Sequence, residues 1–264
     1  MIFPLRDDNP ARRTPLVTYA IVAVNVAVLL WMNRLDDGRQ QLVALEYGFV
    51  PARIAQLQNG RPLLIHMDQM GRIPQLPRPV VVRKSYILTA DRPEIVRSLV
   101  TTMFLHGSWV HLLSNMWFLW IFGNNVEDRL GHAAFALFYL VGGLGATACH
   151  WWSNPGSTVP VVGASGAVAA ILGAYAVTFP AARITCLIFI IIYFTIVHLP
   201  ALLVLGGWFL LQFIYARQQP GPGVMGGVAY WAHMGGFVAG ALMMNVVNFI
   251  SPPEEPQSSS PEWF

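Results

Sequence analysis

The chain has 264 residues, 55% of them hydrophobic and only 11% charged, with a mean hydropathy of +0.51; an ordinary soluble domain carries roughly 25% charge. This balance points to a membrane and argues against a conventional soluble globule, and a net charge of +3, thinly spread, leaves no electrostatic footprint for nucleic acid. Of the 16 Lys and Arg and 13 Asp and Glu residues only eight lie beyond position 98, so a polar first part precedes an apolar remainder.

Taken in chain order, residues 1–14 form a short segment with Arg6, Arg12 and Arg13, ahead of an apolar run at about 15–32. That run ends in Trp31, Met32 and Asn33 rather than a small-residue cleavage site, which predicts an uncleaved first span and no signal peptide. Residues 33 to about 100 form a long polar loop with Pro51, Pro62, Pro74, Pro77 and Pro79; the patches 61–65 and 79–88 suit short strands, and no function is legible there. Beyond it, no formally charged residue lies between Arg129 and Arg183, between Arg183 and Arg217, or between Arg217 and Glu254. A helix that crosses a bilayer needs about 20 mainly apolar residues, which predicts further spans at about 107–125, 132–152, 164–180, 198–216 and 229–250.

The fifth of these six follows from length. A helix over 184–216 would reach about 50 Å at 1.5 Å per residue, far beyond the hydrocarbon core. Pro200 therefore marks where the span begins, and 184–197 lies at the interface or re-enters. Cys149 and Cys186 fall in apolar stretches and read as packing residues. The tail 251–264 has the Pro, Ser and Glu bias of disorder. The expected architecture is an all-α membrane protein, a six-transmembrane-helix bundle over 15–250 with a long first extramembrane loop and both termini cytoplasmic.

Polar residues inside uncharged spans are functional-site candidates. In HGSWVHLLSN, His106–Asn115, His111 and Asn115 stand four apart and share one helix face; residues of this kind near a membrane surface serve equally well in bonding to neighbouring helices. GASG, Gly163–Gly166, opens the fourth span ahead of a run of small residues. Alone, Ser165 is more often a packing serine than a nucleophile. The sixth span supplies a partner: in AHMGGFVAG, Ala232, Gly236 and Gly240 form a close-packing stripe complementary to Gly166, Ala170 and Ala174, with His233 beside it. If both spans run inward from the outer side, Ser165 and His233 share one depth. A serine hydroxyl needs an adjacent base, and imidazole suits that task near neutral pH. Glu127 and Asp128 fall at the opposite end of the second span, so a Ser-His dyad without a carboxylate is the economical inference. The histidine is then held by packing or by neutral hydrogen bonds, and Asn115, His111 and the Ser165 backbone N–H are the available oxyanion donors.

Over about 95–250 the sequence resembles the bacterial rhomboid proteases. The matching elements are His106, His111 and Asn115 in order, the VEDRLG signature with Glu127, Arg129 and Gly131, the GASG box, and the AH-x2-G-x3-G pattern from Ala232 to Gly240. The resemblance implies a six-span intramembrane serine endopeptidase in which Ser165 is the nucleophile, His233 the base, and His111 and Asn115 the oxyanion donors. It also implies that Glu127 and Arg129 bond within the second-to-third loop. Two positions depart from the family pattern: Val96 stands where a Trp often precedes Arg97, and Ala169 where an aromatic residue can stack under the histidine.

The reading carries no cofactor and no metal. Its partners are a lipid bilayer and membrane-protein substrates cut in or beside a transmembrane segment, and its place is a cell membrane of the bacterial inner-membrane kind. The stretch QQPGPGVMGG before the sixth span is either a mobile gate or an ordinary flexible loop. One rival is a catalytically inactive rhomboid-like binder of membrane helices. Another is a metal site or transporter using His106, His111, His150 and His233, which leaves GASG unexplained. His106 reads as a loop-to-loop bond and His150, beside Trp151 and Trp152, as an interfacial anchor; His66, His132 and His198 have no nameable partner.

Overall fold

A computed structural model describes residues 2–71, 80–190, 193–218 and 227–252. β1 (Ile2–Asp7) precedes α1 (Leu16–Met32); α2 (Asp37–Tyr47), α3 (Gln56–Asn59), β2 (Leu63–Gly71), β3 (Val80–Leu88) and α4 (Arg92–Thr101) occupy the first loop. Then come α5 (Trp109–Leu130), α6 (His132–Ser153), α7 (Ser165–Thr178), β4 (Arg183–Ile190), β5 (Tyr193–Pro200), α8 (Ala201–Gln218) and α9 (Tyr230–Ile250). Helices α1, α5, α6, α7, α8 and α9 lie at the positions where the six spans are expected. Among the described residues α6, α8 and α9 are long and apolar enough to cross a membrane, and α1 and α7 are apolar but shorter. Most of QQPGPGVMGG and most of the tail lie outside the described residues.

α7 is the axis of the bundle. It is apolar on every side, and such a helix belongs in the interior; every residue from Gly166 to Ala176 is buried. α9 lies against it at backbone distance, as the small-residue stripes predict. A Cβ at Gly240 would overlap the Ala170 carbonyl, and one at Gly173 would come within 2.9 Å of the Phe237 carbonyl carbon. α6 closes the third side, where a Cβ at Gly145 would meet the Ala239 methyl at 2.9 Å and the one at Gly235 would collide with Cys149. Cys149 is thus a packing residue.

The first loop is a folded unit. Leu45, Val50, Ile65, Met67 and Leu88 form its core between α2 and the antiparallel β2–β3 hairpin. Arg53, only 1% exposed, is held by Glu94 (Nη2 to Oε2, 3.0 Å), the Thr89 carbonyl (3.2 Å) and Gln56 Oε1 (3.3 Å); the pairing makes its burial tolerable. The unit grips the strand-like approach to α7: Phe49 and Val161 exchange both backbone hydrogen bonds, and Thr102 receives the Gly163 N–H at 2.9 Å while its hydroxyl donates to the Val161 carbonyl at 2.6 Å.

The expectation of an all-α fold is corrected. β4 and β5 pair antiparallel, and β1 adds to them in the order β1–β4–β5. The run RITCLIFIIIYFTIVHLP is dense in β-branched and aromatic side chains, which favour strands. α8 begins at Ala201, directly after Pro200, as predicted. β1 runs beside α5: the Phe3 ring stacks on Trp117 at 5.7 Å, the Trp117 indole donates to the Pro4 carbonyl, and Asn125 Nδ2 donates to Asp7 Oδ2 at 2.7 Å. Tyr175 on α7 also donates its hydroxyl to Asp7, at 2.7 Å.

Burial pushes the Asp7 carboxyl up from 3.8 to about 6, against the lowering effect of the Tyr175 hydrogen bond. The folded chain therefore binds this proton more tightly than the unfolded chain, so the contribution of Asp7 to stability is full below the unfolded value and is lost as pH rises through about 6. We expect β1 amides to exchange more slowly at pH 5 than at pH 7.5, after correction for intrinsic exchange, and Asp7→Asn to flatten that difference. An unchanged pH dependence in Asp7→Asn would assign it to another group.

Candidate active site

The polypeptide enters α7 through Gly163, whose φ of +134° favours glycine. A Cβ there would also sit 2.7 Å from His111 Nε2. Ala164 is buried, and Ser165 is the first residue of the helix, half-buried, with no side chain capping the N-terminus. Backbone N–H groups in a first helical turn have no intrahelical partner, so the serine lies among donors free to meet a developing negative charge. A cavity beside it is lined by Thr102, Met103, Thr147, His150, Gly163 and Ala232, among others.

α5 brings the polar cluster to this point. Its N-cap Ser108 accepts from the His111 N–H at 3.2 Å, which fixes the first turn. Asn115 is buried and donates Nδ2–H to His106 Nε2 at 3.0 Å. The same His106 nitrogen faces the Ala164 N–H at 3.4 Å, so it is an acceptor and His106 is neutral. Burial, reinforced by the nearby His111, pushes the His106 imidazole down to about 3. His106 therefore bonds loop to loop, as expected. His111 lies edge-on to it at 5.0 Å, and Asn115 Nδ2 is 3.7 Å from the Cβ position of Gly163. Both expected oxyanion donors thus flank the residue two before Ser165.

His233 comes from the first turn of α9. Ala232, just before it, lines the same cavity as Ser165, and a Cβ on Gly166, just after the serine, would lie 3.9 Å from the Ala232 carbonyl oxygen. The chain neighbours of the two residues therefore meet at one end of the bundle. The imidazole is held from α8: Nδ1 is 2.8 Å from Gln212 Oε1, and Trp208 covers the ring at 5.8 Å with planes 31° apart. Tyr230 meets it edge-on at 6.3 Å. Ala169 supplies no ring to the histidine, whose aromatic contacts come from Trp208 and Tyr230. Sequence reasoning missed both α8 residues; the available signal was an isolated Gln four positions after a Trp in an otherwise apolar span.

The remaining polar residues serve the frame. Glu127 accepts from the Val17 and Thr18 N–H groups, both at 2.8 Å, and from the Thr18 hydroxyl at 2.7 Å, and lies 2.6 Å from His132 Nδ1. It therefore bonds within its own loop to His132, but mainly holds the N-terminus of α1. Arg129 bonds Asn248 and the Ser251 carbonyl, at the end of α9, rather than the loop. His150 faces the cavity instead of acting only as an anchor. His66 pairs with Ser85 and His198 with Thr185. Among the described residues no group of three or more His, Cys, Asp or Glu side chains is arranged to hold a metal ion.

The family model described as Rhomboid domain matches residues 93–248. Rhomboid-like protein 11, chloroplastic, of Arabidopsis thaliana is 48% identical over 69 residues, covering 26% of this chain and 24% of that protein. Presenilin-associated rhomboid-like protein A, mitochondrial, of Danio rerio is 31% identical over 174 residues, 62% of this chain and 45% of that one. Rhomboid protein 1, mitochondrial, of Saccharomyces cerevisiae is 27% identical over 166 residues, 61% and 44% respectively. The matches span less than half the length of each relative, and the organelles in these names lend no support to the bacterial inner membrane expected above. The family model covers more than half of the chain, which belongs to the rhomboid family of membrane proteins.

Proposed function

We propose that this chain is an intramembrane serine endopeptidase acting through a Ser165–His233 dyad. The observation that carries the reading is the contact of α7 and α9 at Gly166, Ala232 and Gly236, which supports bringing the first residue of one helix to the first turn of the other within a shared cavity. The His233 imidazole removes the Ser165 hydroxyl proton as Oγ attacks the scissile carbonyl carbon. The oxyanion is met by the Ser165 N–H, by the Asn115 Nδ2 hydrogen not used on His106, and by His111 Nε2–H. Collapse expels the amine, protonated by His233; a water, deprotonated by the same imidazole, then releases the acyl group. Neutral donors suit this depth, where a fixed charge is costly.

Substrates are membrane proteins cut in or next to a transmembrane segment, at a place where the backbone is extended, because a regular helix keeps its carbonyls bonded. Helices α1, α5 and α7 act as spans together with α6, α8 and α9, and both termini face the cytoplasm. The test is cleavage of a model transmembrane substrate in liposomes, together with labelling by a fluorophosphonate probe. Wild type cleaves and is labelled, chelators change neither, and Ser165→Ala loses both. Cleavage that persists in Ser165→Ala overturns the dyad, chelator-sensitive cleavage favours a metal mechanism, and absence of cleavage with retained binding favours an inactive binder.

A further inference from the structure

We infer that Gln212 of α8 is the positioning residue of the catalytic base: its amide oxygen fixes the proton of His233 on Nδ1 and leaves Nε2 free to take the serine proton. The inference rests on the dyad reading and extends it to a third residue and a third helix. A neutral imidazole carries one proton on either nitrogen, and only one tautomer can act as a base toward a given hydroxyl. Where a soluble enzyme uses a buried carboxylate to settle this choice, the span offers none, since Glu127 and Asp128 lie at the far end of α5 and hold other partners. Gln212 Oε1 lies 2.8 Å from His233 Nδ1. An amide oxygen orients Nδ1–H as a carboxylate does, without the desolvation cost of a charge in hydrocarbon.

Two further observations favour this role over incidental packing. Gln212 is buried, 7% exposed, on a helix with no charged residue before Arg217; a buried amide without a partner is costly, so its position is explained by the imidazole it faces. Trp208, one turn earlier on the same face, packs on the same ring. α8 therefore restrains His233 twice, by ring contact and by hydrogen bond. Replacing Gln212 by methionine removes the bond while keeping volume, flexibility and Trp208.

The experiment combines kinetics with nitrogen NMR of the His233 ring, the latter in a Ser165→Ala background so that no substrate is turned over. Gln212→Met is expected to lower kcat about 10- to 100-fold, less than the 10²- to 10⁴-fold a positioned general base supplies, with KM changed less than threefold. Gln212→Glu, which keeps an acceptor oxygen, is expected to recover at least tenfold over Gln212→Met. In the NMR spectrum the Nδ1–H tautomer dominates with Gln212 present and loses that dominance in Gln212→Met. An unchanged tautomer, or equal kcat in wild type and Gln212→Met, overturns the role. If Gln212→Met does not fold, Gln212→Leu takes its place: an unchanged Nδ1–H signal in that folded variant overturns it equally. Cleavage retained by Ser165→Ala would instead sink the dyad reading while the tautomer signal still reported on Gln212, so the two failures are distinguishable.

Discussion

Gly240→Leu is expected to prevent assembly of the bundle, while Gly206→Leu or Gly207→Leu, on α8, leaves it intact. At Gly240 the first added carbon would overlap the Ala170 carbonyl oxygen and lie 2.5 Å from its carbon and 2.6 Å from its Cα. The obstacle is helix backbone, so no rotamer change relieves it, and α7 is enclosed on all sides and cannot withdraw. Overpacking a core usually costs about 1–3 kcal/mol by moving side chains. Here two helix axes must separate and every neighbouring small-residue contact is lost, so a cost above about 4 kcal/mol is expected, a large share of the roughly 5–15 kcal/mol that stabilises a typical protein. A Cβ at Gly206 or Gly207 meets nothing within 4 Å, which makes these substitutions internal controls for added bulk. Thermal unfolding in detergent reads the difference, and a Gly240→Leu melting temperature within a few degrees of wild type would refute close backbone contact between α7 and α9.

That contact is legible in the sequence because it has a local signature: small residues every fourth position on two segments can be matched across a helix pair without knowing anything else about the fold. Helix positions in the apolar part were legible for a similar reason, since the absence of charge is a property of each segment alone. The β4–β5 hairpin was not, because a continuous apolar run carries no period that separates strand from buried helix; only Pro200 showed, and it fixed the start of α8. The two strands of the first loop were legible as the patches 61–65 and 79–88, but its packing was not, because its core comes from Leu45, Val50, Ile65, Met67 and Leu88, scattered over a stretch whose average composition is polar. In the candidate site, Ser165, His233, His111 and Asn115 stood out as polar residues in apolar surroundings. Gln212 passed unnoticed although it satisfies the same criterion, since its meaning depends on which helix faces the imidazole, a matter of tertiary pairing. Glu127 was placed at the correct end of the bundle but given too local a role: an acceptor for the N-terminus of a helix 110 residues earlier in the chain has no sequence signal.

Ser165→Ala, His233→Ala and the double variant are expected to be equally inactive, each reduced by on the order of 10⁴-fold or more in kcat, as for residues that act as one unit. A serine without its base keeps its proton, and an imidazole without the hydroxyl has no nucleophile to activate, so the second substitution removes nothing that the first left working. Asn115→Ala behaves differently. Loss of one oxyanion donor costs about 10²–10³ in kcat while leaving the dyad able to form an acyl-enzyme; here it also leaves the His106 acceptor facing only the Ala164 N–H. Combined with Ser165→Ala it adds nothing further, but alone it stays measurable and still reacts with a fluorophosphonate, more slowly. The pattern is read from single-turnover cleavage in liposomes with all variants at matched folded concentration, checked by melting temperature. If the losses in Ser165→Ala and His233→Ala instead multiply in the double variant, the two side chains serve separate steps, and the proton-transfer pair at the start of α7 and α9 does not exist.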